Sequence, residues 1–241
     1  SNIWLLHLNN NKLTKIDGNA FKELRNLVEL RLSDNQLETI DVQLFAACSK
    51  LKRLYLSGNK LSSIDANTKE LKMIFTNPVL NQVDLSFNNI TRIKLEFSSD
   101  SIENIKINIS SNDIREFSHI SIESKNERSK FEINARFNFI QTVPIDEIFD
   151  GTNLKISFQN IKFIDLSRNP LSYSCLQKIF ENQTYQETFK VEIKQNDESR
   201  YIKNIDFDLI REEYPHLKSM KNWNGLSEFS VITGKNGVGK S

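Results

Sequence analysis

The stretch Leu27–Ile40, LVELRLSDNQLETI, sets apolar residues at Leu27, Leu30, Leu32, Leu37 and Ile40 around one asparagine, Asn35. Leu30-x-Leu32 has the period of two of a short strand, which sends both leucines to one side and Arg31 to the other. After the strand the chain must turn, and an asparagine side chain can satisfy backbone groups that a buried turn leaves unpaired. The same skeleton recurs along most of the chain. Its asparagines are Asn11, Asn35, Asn59, Asn88, Asn112, Asn138 and Asn169, at steps of 24, 24, 29, 24, 26 and 31 residues. Before them stand Leu6-x-Leu8, Leu30-x-Leu32, Leu54-x-Leu56, Val83-x-Leu85, Ile107-x-Ile109, Ile133-x-Ala135 and Ile164-x-Leu166. Units repeating at this period bury their apolar sides only by stacking, so strand should pair with strand in parallel around one continuous core.

These residues resemble the leucine-rich repeat family over about Ile3 to Leu176. Ala20-Phe21-x-x-Leu24-x-x-Leu27, and Leu44-Phe45 followed by Leu51, are similar to the variety with about 24 residues per repeat and a phenylalanine stacked on the outer side. The resemblance implies an α/β solenoid, a parallel β horseshoe of about seven repeats. Repeats five and six depart from the pattern. Asn104 takes a leading leucine position, Ala135 replaces a core leucine, and the connection Ser118 to Lys130 is polar.

The inner face of such a solenoid can be read by position. The residues between paired leucines are His7, Arg31, Tyr55, Asp84, Asn108, Asn134 and Asp165; those just before are Leu5, Glu29, Arg53, Gln82, Lys106, Glu132 and Phe163. Serines mostly follow, at Ser33, Ser57, Ser86, Ser110 and Ser167. Arginine and aromatic side chains supply many interface hot spots, so the partner-binding candidates are Arg31, Arg53, Tyr55, Asp84 and Phe163. The expected partner is a protein or peptide on the concave face.

Composition excludes several classes. Over 241 residues, 32 basic charges stand against 31 acidic ones, so no strong field draws the chain to nucleic acid or an anionic membrane. The two cysteines, Cys48 and Cys175, lie in different repeats and in no metal-ligand spacing, and read as core fillers. No apolar run of about eighteen residues and no leader-like segment occurs in this stretch. His7, His119 and His216 sit in unrelated contexts, and no catalytic set of side chains stands out. Leu6 is already inside a repeat strand with no cap before it, so the native protein is expected to extend upstream.

Beyond the repeats, Ser174 to Asn182 reads as a short covering helix and Thr188 to Lys194, TFKVEIK, as a strand. Gln195 to Arg200 reads as a loop and Asp206 to Met220 as a helix interrupted at Pro215. The expected domains are a solenoid with its helical cover over 1–182, and a junction with the start of a nucleotide-binding domain over 183–241. The chain closes on a strand, Phe229 to Ile232, and then Gly234, Gly239, Lys240 and Ser241 in the spacing G-x-x-x-x-G-K-S. Such a loop turns successive backbone N–H groups, here including those of Asn236, Gly237 and Val238, onto phosphate oxygens. Lys240 would reach the β and γ phosphates and the Ser241 hydroxyl would hold Mg²⁺.

The form G-x-N-G-x-G-K-S resembles the phosphate loop of ATP-binding-cassette, chromosome-maintenance and RecF-like ATPases. That resemblance implies ATP and Mg²⁺ as cofactors of a longer protein. This chain by itself is expected to bind neither tightly and to hydrolyse nothing. Three functions are consistent with the sequence. One is recognition by the concave face, linked to a nucleotide-binding domain. The second is an ATPase for which the repeats are only a scaffold, and the third is an extracellular repeat protein with a chance loop match. A cytoplasmic location is the expectation.

Overall fold

The computed structural model describes residues 2–62, 70–145 and 161–194 and an isolated strand at 228–231. In chain order the strands are β1 (Leu5–His7), β2 (Glu29–Arg31), β3 (Arg53–Tyr55), β4 (Leu71–Phe75), β5 (Gln82–Asp84) and β6 (Ile93–Phe97). They continue with β7 (Asn104–Asn108), β8 (Ile120–Ser124), β9 (Lys130–Asn134), β10 (Ile161–Asp165), β11 (Phe189–Lys194) and β12 (Glu228–Val231). Nine of them form one sheet in the order β1-β2-β3-β5-β7-β9-β10-β11-β12, parallel except for the last pair.

The register follows from the repeat. Leu6, Leu30, Leu54, Val83, Ile107, Ile133 and Ile164 are successive partners, and all but Leu6 are buried. Leu32, Leu56, Leu85, Ile109, Ala135 and Leu166 form a second, fully buried row. Polar side chains alternate with them onto the opposite face of the sheet, as the period of two requires.

The asparagine ladder explains why each turn can be buried. Asn88 Nδ2 donates to the carbonyls of Leu56 (3.1 Å), Leu85 (3.1 Å) and Ser86 (3.1 Å), while its Oδ1 accepts from the Leu61 N–H (2.9 Å). Asn35, Asn59, Asn112 and Asn138 repeat this arrangement, each joining its own turn to that of the preceding repeat. The residue before each ladder asparagine has a positive φ: Asn10, Asp34, Gly58, Phe87, Ser111, Phe137 and Arg168 lie between 53° and 65°.

The outer side is not the same throughout. In the early repeats it is irregular, with a 3-10 turn at Val42–Phe45 and Phe21 stacked on Phe45 at 5.9 Å between ring centroids. In the middle repeats β4, β6 and β8 form a second parallel sheet, in register from Leu71↔Ile93↔Ile120 to Phe75↔Phe97↔Ser124. Leu71, Met73, Phe75, Ile93, Leu95, Phe97, Ile120 and Ile122 point inward from it. Residues 118–130, polar on the whole, therefore contain a strand that packs on the core, because the alternation Ile120-x-Ile122 is enough to bury one face. The departures in repeats five and six are absorbed by longer strands. Asn104 is exposed at the start of β7, while Ile105 pairs with Phe131 and both are buried.

Helix α1 (Tyr173–Glu181) begins one residue before the stretch expected from sequence, capped by Ser172, whose Oγ accepts from the Cys175 N–H. It turns Cys175, Leu176 and Ile179 onto the core, and a single further turn and a half, α2 (Gln183–Thr188), leads into β11. TFKVEIK, placed by the sequence in the junction, pairs in parallel with β10 through Ile164↔Phe189 and so continues the solenoid sheet. Phe189 and Val191 are buried and Lys190 between them is exposed, so the alternation covers one face of this strand. β12 runs antiparallel to β11. The sequence-based loop over 195–200, the helix over 206–220 and the phosphate loop Gly234, Asn236, Gly237, Val238, Gly239, Lys240 and Ser241 lie outside the described residues.

Candidate functional site

Two rows of side chains face the inner side of the nine-stranded sheet, and their composition follows the register. One is Leu5↔Glu29↔Arg53↔Gln82↔Lys106↔Glu132↔Phe163; the other is His7↔Arg31↔Tyr55↔Asp84↔Asn108↔Asn134↔Asp165. Arg31 is exposed, and Arg53, Tyr55, Asp84 and Phe163 are half-buried. All five sequence candidates therefore lie on one face, but they fall into two groups.

The first group centres on Glu29. The sequence placed this residue with the solvent-facing side chains, yet its side chain is only 7% exposed. Oε1 accepts from Arg31 Nε at 2.6 Å and Oε2 from Arg53 Nε at 2.6 Å, with His7 Nε2 3.4 Å from Oε1. The burial follows from these neighbours, because a carboxylate that leaves water needs charge partners and hydrogen bonds. Burial pushes the Glu29 carboxyl up, but the hydrogen bonds and charges of Arg31 and Arg53 together outweigh it and hold it below the ordinary carboxylate range. The Arg31 guanidinium also lies over the Tyr55 ring, 4.9 Å from its centroid. Arg31, Arg53 and Tyr55 thus form one preorganised cluster.

The second group lines a depression of about 220 Å³ bounded by Gln82, Asp84, Lys106, Asn108, Glu132, Asn134 and Phe163. Glu132 is held by Lys162 at 2.6 Å and Lys106 at 3.5 Å, which lowers its carboxyl against the opposing effect of burial. Lys190 Nζ caps the Phe163 ring at 3.6 Å from the centroid. Asp84 Oδ1 accepts from the N–H and Oγ of Ser86, which fixes the carboxylate at the rim. The depression is mixed in charge, with an aromatic wall.

Some functional-looking features were not readable from the repeat alone. Asn77, 1% exposed, donates to the carbonyls of Phe45 (2.7 Å) and Cys48 (3.2 Å) and so closes the outer turn of an earlier repeat. Phe87 and Phe137 stand 65% and 53% exposed at positive-φ positions, where a bulky residue costs more than asparagine or glycine. Burial raises both thiols, Cys48 and Cys175, which fits inert packing groups. Among the described residues, no cluster of three potential metal-ligating side chains occurs, and no helix is long and apolar enough to cross a membrane.

Comparison with known proteins supports the repeat reading. Residues 1–67 match a family model described as leucine rich repeat, and residues 76–92 match a second model of the same description. The chain therefore carries leucine-rich repeats. No curated protein matches the sequence. Among solved structures, the leucine-rich-repeat domain of a Shigella effector is 20% identical, with 79% of this chain and 81% of that chain covered and a TM-score of 0.43. The leucine-rich repeat domain of APL1B is 18% identical over 70% of this chain and 56% of its own, with a TM-score of 0.36. A TLR13–ssRNA13 complex gives 18% identity over 76% of this chain and 30% of that chain, with a TM-score of 0.39. This chain thus spans little more than half of the APL1B domain and under a third of the TLR13 chain.

Proposed function

We propose that this chain is a recognition module whose inner sheet face holds a protein or peptide segment, with Arg31, Arg53 and Tyr55 at the centre of contact and Asp84 and Phe163 at a second, neighbouring patch. The observation that carries the reading is the register of the sheet. It brings an arginine pair, a tyrosine and a phenylalanine-walled depression onto one continuous face, and the core uses none of these side chains. Charged and aromatic groups held at fixed spacing on parallel strands suit a segment lying across those strands.

The test is selection of a peptide-display library against the chain, followed by binding of the selected peptides to the triple variant Arg31→Ala, Arg53→Ala, Tyr55→Ala. The selected peptides should bind the variant at least about tenfold more weakly, as loss of a hot-spot cluster implies, while circular dichroism remains that of the folded chain. Equal affinity for the folded variant would overturn the assignment.

In a polypeptide that continues past Ser241, we propose that the same recognition surface serves a nucleotide-binding domain. The motif of Gly234, Gly239, Lys240 and Ser241 supports this, together with the strand Glu228–Val231 just upstream of it. The backbone N–H groups from Asn236 to Gly239 and the Lys240 ammonium would hold ATP phosphates, with Mg²⁺ on the Ser241 hydroxyl. Labelled ATP should bind the native gene product and lose most of its affinity on Lys240→Ala. Undiminished binding would show that the loop is not the nucleotide site.

A further inference from the structure

We infer that Arg31 and Arg53 form a clamp for a carboxylate of the partner segment, and that Glu29 is the positioning residue that aims it; this rests on the inner-face reading above. Glu29 is far more occluded than its partners, at 7% side-chain exposure against 46% for Arg31 and 38% for Arg53. Each of its oxygens takes the Nε of a different arginine. That anchors both guanidinium groups through Nε and leaves their terminal nitrogens unused by Glu29. Among the described residues, none accepts from those terminal nitrogens. The Tyr55 ring, 4.9 Å from the Arg31 guanidinium carbon, holds that side chain from the side.

The charge of the cluster chooses the ligand. One arginine would suffice to neutralise Glu29, so the second leaves a surplus of one positive charge on an exposed surface. A terminal guanidinium edge offers two parallel N–H donors, which match the two oxygens of a planar carboxylate. A single aspartate, glutamate or chain-terminal carboxylate balances the surplus, whereas a doubly charged phosphoryl group would bring excess negative charge close to Glu29. The nearest acidic residue along the row, Asp84, lies beyond Tyr55 and is tied to Ser86, so it does not occupy the clamp. The geometry therefore fits an acidic segment crossing β2 and β3.

The test uses fluorescence anisotropy with three labelled peptides of one length: alternating glycine and glutamate, alternating glycine and glutamine, and a version carrying phosphoserine. The glutamate peptide should bind about tenfold or more tightly than the glutamine peptide, the range expected of charge-assisted bidentate bonds. The double variant Arg31→Lys, Arg53→Lys keeps the charge and loses the fork, and should forfeit most of that preference.

Glu29→Gln separates the clamp from a plain positive patch. It makes the site more positive by one charge but frees the arginines, so a clamp binds the glutamate peptide more weakly and a patch binds it more tightly. Tighter binding, or full preference in the double lysine variant, overturns the proposal, and the lysine variant decides it if Glu29→Gln does not fold. A phosphoserine peptide bound tenfold more tightly than the glutamate peptide overturns the choice of ligand. If display-selected peptides still depend on Tyr55 while no acidic preference exists, the clamp fails and the inner-face reading stands.

Discussion

Asn88→Ala is expected to destabilise the chain by about 2–3 kcal/mol, the upper part of the range for leaving a buried donor unsatisfied. The substitution strips three donor bonds and one acceptor bond at once. It leaves the Leu61 N–H buried without its acceptor, and the Leu56, Leu85 and Ser86 carbonyls each with one donor fewer, held only by Asn59, Asn112 and the Gly58 N–H. No water reaches the site readily, because Asn88 is 8% exposed and its neighbours Leu56, Leu85 and Leu61 are fully buried. The measurement is urea unfolding followed by circular dichroism. Asn11→Ala is the internal control, since Asn11 is exposed and donates only to Leu8 and Asn9 of its own turn. A loss below about 1 kcal/mol at Asn88, or an equal loss at Asn11, would contradict the role given to the ladder.

Phe97→Ala should cost about 3–5 kcal/mol, as for other buried aromatic truncations. Phe97 sits at the end of β6, 2% exposed, with its ring 5.3 Å from that of Phe75 and 6.4 Å from that of Phe131. It therefore joins the outer sheet, through β4, to the inner sheet, through β9. Removing the ring opens a void between two hydrogen-bonded layers that cannot close without shifting one of them. Lys94→Ala on the same strand removes contacts with Glu96 (3.1 Å) and Glu123 (3.2 Å) at the surface, and should cost less than about 1 kcal/mol. Thermal unfolding of both variants checks the contrast, and equal shifts would refute it.

The inner face was legible in the sequence because one residue type, asparagine, follows each of β1, β2, β3, β5, β7, β9 and β10. Counting back from Asn35 or Asn138 by twos assigns each side chain to core or inner face, and parallel stacking then fixes who neighbours whom. The local pattern could not show that Glu29 is buried. Its two arginine partners lie on different strands, Arg31 beside it and Arg53 one repeat away, and only the register brings both guanidinium groups to one carboxylate. The outer sheet was missed for a related reason. Leu71-x-Met73-x-Phe75 and Ile93-x-Leu95-x-Phe97 alternate plainly, but they fall between the repeat's own landmarks, where helix, 3-10 turn and strand all occur in solenoids. Ile120-x-Ile122 was hidden further by the polar residues around it.

The outer sheet has a mechanical consequence. Strands in any hydrogen-bonded sheet advance by about 4.8 Å, so repeats that carry β3 with β4, β5 with β6 and β7 with β8 advance equally on both sides. Equal advance leaves little wedge in the stack, so these three repeats should curve less than the early ones. The early repeats, whose outer side is a 3-10 turn with stacked phenylalanines 5.9 Å apart rather than the 5.3 Å of Phe75 and Phe97, have room to fan. A ligand that spans β3 to β7 should therefore meet a flatter track, doubly tied by hydrogen-bonded sheets, than one that lies over the repeats around Arg31.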